Sequence, residues 1–277
     1  MKTLKAHDGL PLHWREWGCS GPAHGTVLIV HGLGEHIGRY DALAQQLNRW
    51  GWHVAGYDQR GHGASGGARG DIPEPQALLQ DLAGVLDALR ADPRLGRGRL
   101  ILLGHSMGGL VAARFVAGAL EQASWSRPVD GLVLSSPALD PGLSAWQRGL
   151  LALSLPLTPH LAVGNGLKPD WISRSAAVVQ AYVADPLVHD RITAMLAGFI
   201  AREGRSVLAL APRWATPTLL LWAGADRCVA PAGAAAFAAA APGVQAQCFA
   251  GLAHEIFNEP EREQVLARLR AWLSPQS

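Results

Sequence analysis

The chain has 277 residues, 49% hydrophobic and 17% charged, with a formal net charge of +2. That length and balance describe a folded globular protein able to bury a full core, not a disordered chain. With the arginines scattered and no basic block, the charge argues against a nucleic-acid partner. Three cysteines, Cys19, Cys228 and Cys248, show no paired or His-rich ligand spacing, so no disulfide framework and no resident metal is expected.

Residues 3–17 read as two short strands joined at Asp8-Gly9, a hairpin signal. Lys2, Lys5, His7, Asp8, Arg15 and Glu16 leave no apolar core for a signal peptide here, so a cytoplasmic location is expected. Thr26 to Val30 is an apolar run of the kind seen in buried parallel strands, and it ends in His31-Gly32-Leu33-Gly34-Glu35-His36. A helix follows, with Leu43, Leu47 and Trp50 at helical spacing. His53 to Tyr57 is the next strand, leading into the glycine-rich run Asp58 to Gly67, and a helix over about Pro75 to Arg90 has one apolar face.

Leu100 to Leu103 then reads as a buried strand breaking into Gly104-His105-Ser106-Met107-Gly108, with a small-residue helical run after it. This is the G-x-S-x-G turn in its required setting, strand before and helix after. Small residues two before and two after the serine let the turn close tightly and lift the Ser106 hydroxyl clear of the backbone. Val129 to Leu134 is a further strand. From 138 to 212 the alternation stops, giving way to prolines and helical apolar spacing, as an insertion would. Alternation resumes with Thr218 to Trp222, a helix about Pro231 to Ala241, the strand Gln245 to Phe249 and a last helix about Pro260 to Leu273. Strands alternating with helices imply a mostly parallel sheet covered on both faces, with its ligand site outside the carboxyl ends of the strands.

Every residue suited to chemistry falls just after a strand. A serine hydroxyl needs a base to take its proton, and the base works best when a third group orients it. Asp226 follows the strand Thr218 to Trp222 and His254 follows Gln245 to Phe249, so Ser106, Asp226 and His254 are the expected nucleophile, orienting acid and general base. The backbone N–H groups of Leu33 and Met107 are the expected oxyanion donors. His105 is expected to point away from the line of attack. His31 and His62 are expected to pack beneath the site, and Glu255 to cap a helix or hold a loop. Cys228, two residues after Asp226, would lie near the site.

With these residues placed, the chain resembles the monoacylglycerol lipase and lysophospholipase group of α/β-hydrolases over nearly its whole length. The resemblance rests on His31-Gly32-Leu33-Gly34-Glu35-His36-Ile37-Gly38-Arg39-Tyr40, on Tyr57 to Gly67, on Gly104 to Gly109, on Asp185-Pro186-Leu187-Val188, on Gly224 to Arg227 and on His254-Glu255. It implies an α/β-hydrolase fold, with a mostly parallel eight-stranded sheet, helices on both faces and an inserted helical cap. The core would be residues 1–137 and 213–277, and the cap residues 138–212. It implies hydrolysis of one acyl ester bond in a monoacylglycerol or similar lysolipid, through an acyl-enzyme and without a cofactor. Glu35 and Arg39 match positions that line the polar, glycerol end of the pocket in that group; an ion pair fixing the loop is the other reading. The apolar stretch Gly149 to Leu157 is too short and Pro-broken to span a bilayer. An exposed face there would suit transient contact with a membrane surface. Carbon–carbon or amide hydrolysis on the same triad, or a lipid-binding protein without catalysis, are the alternatives.

Overall fold

The computed structural model describes residues 2–274. Its main sheet has eight strands: β1 (Lys2–Lys5), β2 (Pro11–Trp17), β3 (Gly25–Val30), β4 (His53–Tyr57), β5 (Arg99–His105), β6 (Gly131–Ser135), β9 (Thr218–Ala223) and β10 (Gln245–Phe249). They lie in the order β1-β2-β4-β3-β5-β6-β9-β10. β2 runs antiparallel to both β1 and β4, and every other pairing is parallel.

The central strands carry apolar side chains on both faces, and the period of two sorts them into two cores. Leu28, Val30, Leu102, Leu132, Leu134 and Leu220 join the core under α2 (Ala77–Ala91), α3 (Met107–Ala117), α6 (Ala194–Leu210) and α7 (Pro231–Ala240). Their neighbours Val27, Ile29, Ile101, Leu103, Val133, Leu219 and Leu221 face α1 (Asp41–Arg49) and α8 (Arg262–Leu273). A continuous apolar strand is therefore what two-sided burial requires.

Between β6 and β9 the chain forms α4 (Ala145–Leu157), β7 (Val163–Gly164), α5 (Ala176–Ala184), β8 (Arg191–Ile192) and α6. The small antiparallel pairing of β7 with β8 has no counterpart in the sequence reading of this stretch. α6 turns back onto the core: Leu196, Phe199 and Val207 are buried, and Arg114 on α3 donates to Glu203 at 2.6 Å. α4 begins in a capping box between Ser144 and Gln147 but buries no residue. Trp146, Leu150, Leu153 and Leu157, spaced along one side of it, are exposed. Among the described residues no helix is long and apolar enough to cross a membrane.

Candidate active site

Ser106 sits between β5 and α3 at φ 53°, ψ −121°, a conformation that costs of order 1–3 kcal/mol and survives only where the surroundings hold it. Three backbone hydrogen bonds do so: Ser106 N–H donates to Ser135 O, and Ser106 O accepts from Leu110 and Ala138, all at 3.0 Å. The turn also needs bare backbone. A β-carbon on Gly104 would stand 2.4 Å from Gly108 O, and one on Gly108 would stand 2.1 Å from Val30 O. The two glycines thus let α3 start directly against β3.

β9 and β10 are parallel neighbours, so the loops leaving their carboxyl ends lie side by side. Gly224 N–H donates to Phe249 O at 2.9 Å and Ala225 N–H to Leu252 O at 3.2 Å, which ties one loop to the other. Asp226 and His254 therefore meet: His254 Nδ1 donates to Asp226 Oδ2 at 2.6 Å, and Asp226 Oδ1 accepts from the backbone of Cys228 and Val229. Burial alone would depress the His254 imidazolium. The Asp226 carboxylate outweighs it by charge and hydrogen bond, with Glu255 and Glu35 behind, and holds the group above its ordinary value. His254 Nε2 has no hydrogen-bond partner among the described residues, and no hydrogen bond joins it to Ser106 Oγ. Such contacts often tighten only when substrate is bound.

The loop after β3 comes up against the serine. A β-carbon on Gly32 would lie 3.1 Å from Ser106 Cβ. The backbone N–H groups of Leu33 and Met107 donate to no group among the described residues. The loop is held from behind by Glu35, whose Oε1 accepts from Gly32 N at 2.6 Å and Tyr40 OH at 2.7 Å, and whose Oε2 accepts from Arg39 at 2.7 Å. Arg39 also grips Glu255 through two hydrogen bonds, at 2.6 and 2.9 Å, with its guanidinium over the Tyr182 ring. Burial would push the Glu35 carboxyl up, yet Arg39 and His105 draw it down to about 2. Both carboxylate oxygens of Glu35 are thus engaged within the protein, and Glu255 holds a loop instead of capping α8.

His105 is buried with its ring 4.7 Å from that of His254, and burial beside that second ring pushes it down to about 3. It is neutral packing behind the base. His31 and His62 stack at 5.4 Å, and His62 meets His189 from the β6–β9 segment at 4.8 Å. Asp58 accepts from the backbone of Ile37 and Ala64 and serves the turns. Cys228 lies beside Asp226 and His254, one ligating atom from each of the three falling within 4.8 Å of the others. Burial pushes its thiol up.

Two supports escaped the sequence reading. Glu259 accepts from Ala253 N–H, from the backbone and side chain of Arg174, and from the Ser173 hydroxyl, all at 2.7–2.8 Å, and so pins the loop that carries His254. His36 Nε2 lies 2.8 Å from Asp185 Oδ2, joining the first glycine loop to the β6–β9 segment. Asp185 belongs to a block that the resemblance singled out, but nothing in the sequence pairs it with His36.

Residues 21–261 match the family model described as serine aminopeptidase, S33. The chain is 33% identical over 271 residues to the monoacylglycerol lipase of Mycolicibacterium smegmatis, covering 96% of this chain and 93% of that one. It is 29% identical to an uncharacterised abhydrolase domain-containing protein of Dictyostelium discoideum, of whose length it spans only 29%. Among solved structures, the Paleococcus ferrophilus monoacylglycerol lipase superposes with a TM-score of 0.83 at 33% identity, covering 95% of this chain and 98% of that one.

Proposed function

The chain belongs to the serine aminopeptidase S33 family, in the monoacylglycerol lipase group of the α/β-hydrolases, and from that premise we propose that it hydrolyses the acyl ester of monoacylglycerols or similar lysolipids. It is a carboxylic ester hydrolase. The observation that carries the finer reading is the buried Asp226–His254 pair, whose imidazole packs on His105, the residue just before the strained, half-buried serine.

In this reading His254 Nε2 takes the Ser106 proton as Oγ attacks the ester carbonyl. Leu33 and Met107 N–H hold the oxyanion, an interaction of which one donor is typically worth ~2.7–4 kcal/mol. The imidazolium, stabilised by Asp226, then protonates the departing alcohol, and water repeats the sequence to free the acid. Glu35 and Arg39 fix the loop that presents Leu33. The insertion at residues 138–212 supplies the cap over this site, with α6 returning to the core, and the bare apolar side of α4 touches the membrane surface from which the lipid is taken.

The test is a substrate panel together with a fluorophosphonate probe. Monoacylglycerols should be hydrolysed ahead of di- and triacylglycerols and of matched amides, and Ser106→Ala should lose both labelling and turnover. Surviving turnover in that variant, or amide cleavage without ester cleavage, would overturn the proposal.

A further inference from the structure

The loop after β9 places a thiol where hydrolysis makes no use of it. Cys228 N–H donates to Asp226 Oδ1 at 2.8 Å, so the turn folds the side chain back towards the triad. One carboxylate oxygen of Asp226, Cys228 Sγ and one ring nitrogen of His254 then gather within 4.8 Å of one another, the one such trio of distinct donors among the described residues. A zinc-class ion binds sulfur, nitrogen and oxygen at about 2.0–2.3 Å, which sets neighbouring tetrahedral ligands roughly 3.3–3.6 Å apart. The 2.6 Å His254–Asp226 contact must open slightly and the widest separation must close, both by small side-chain rotations. Thiolate and imidazole favour zinc or cadmium, whereas magnesium and calcium take all-oxygen sites.

We propose that Asp226, Cys228 and His254 form an inhibitory site for a thiophilic divalent cation. The inhibition rests on the reading of His254 as the base; the binding does not. The ion takes the Nδ1 lone pair of His254, and the ring proton moves from Nδ1 to Nε2. The Cys228 thiol releases its proton to solvent, Asp226 supplies an oxygen, and a water fills the fourth position. No electrons change hands. With a proton on Nε2 and Asp226 drawn to the metal, His254 has no lone pair to offer Ser106.

The experiment uses the full chain carrying Cys19→Ser and Cys248→Ser, because Cys19 Sγ lies 3.6 Å from His53 Nδ1 and would bind cadmium on its own account. Titration with cadmium should raise the ultraviolet thiolate-to-cadmium band to saturation at one equivalent. Ester hydrolysis should fall in step and return on adding EDTA, and magnesium or calcium should do nothing. Adding Cys228→Ala should abolish the band and the inhibition, and adding His254→Gln should weaken cadmium binding by about tenfold or more. A band independent of Cys228, full affinity in His254→Gln, or inhibition that survives Cys228→Ala would each overturn the proposal. Failure of the hydrolytic reading shows elsewhere, in metal-free labelling of Ser106→Ala.

Discussion

Glu35 Oε1 accepts the backbone N–H of Gly32 at 2.6 Å, and a β-carbon on Gly32 would meet that same oxygen at 2.9 Å and Ser106 Cβ at 3.1 Å. One buried carboxylate thus sets how closely the first glycine loop approaches the serine. Glu35→Gln weakens that grip and leaves Arg39 short of an anion. We expect kcat to fall about 10- to 100-fold with KM little changed, on glycerol esters and p-nitrophenyl acetate alike. Steady-state kinetics on the two substrates checks this. A KM rise confined to glycerol esters would make Glu35 a substrate contact instead.

Asp226→Asn keeps the shape of the pair but no longer favours the tautomer with its proton on Nδ1. Turnover should fall about 10⁴-fold while the fold is kept. Single-turnover rates beside a circular dichroism melt separate the two effects, and a loss within tenfold would point to another acid.

The base must be neutral to act, and Asp226 holds His254 above its ordinary value against burial. The acidic limb of kcat/KM should therefore lie above the ordinary imidazole value of about 6.5, with activity lost as pH falls through it. The same shift has the opposite sense for stability. A raised folded-state value means the native protein holds this proton more tightly than the unfolded chain. That increment is complete below about pH 6.5 and is lost as pH rises through the folded value. Thermal melts of wild type and His254→Gln across this range should converge towards the alkaline side.

The exposed side of α4 gives a prediction with a built-in control. Trp146→Ser with Leu153→Ser removes two side chains that are 76% and 61% exposed, so the fold should not suffer. Hydrolysis of monoacylglycerol in vesicles should drop several-fold, with soluble short esters turned over as before. Equal loss on both would show that α4 acts on the site and not on the membrane.

The order of elements was legible because the central strands β3, β5, β6 and β9 are apolar runs with glycine or proline close behind them. His53–Tyr57 and Gln245–Phe249 fall where the sequence places them. The ends of helices were less so. α1 starts only at Asp41, after a 3₁₀ turn over Ile37–Tyr40, and Trp50 is its C-cap, laid under Arg270. Ser106, Asp226 and His254 could be proposed because each follows a strand in a recognisable order. The supports could not. Arg39 and Glu255 lie 216 residues apart, and Glu259 and Arg174 lie 85 apart. A charged residue in a sequence does not say which distant opposite charge it will meet. The antiparallel place of β2 beside β4 was hidden for the same reason, since strand neighbours are chosen by the packing of the crossings.

The loop bearing His254 is fastened to residues 172–174 on the other side of β9: Glu255 N–H donates to Ile172 O at 2.8 Å, and Glu259 gathers Ser173 and Arg174. The segment between β6 and β9 is therefore not an interchangeable module. A chimera that grafts a relative's segment at residues 138 and 212 inherits a foreign latch for its own histidine. Recombination in this scaffold should succeed where residues 253–259 travel with 172–174 as one inherited unit, though β9 and β10 of the main sheet lie between them in the chain.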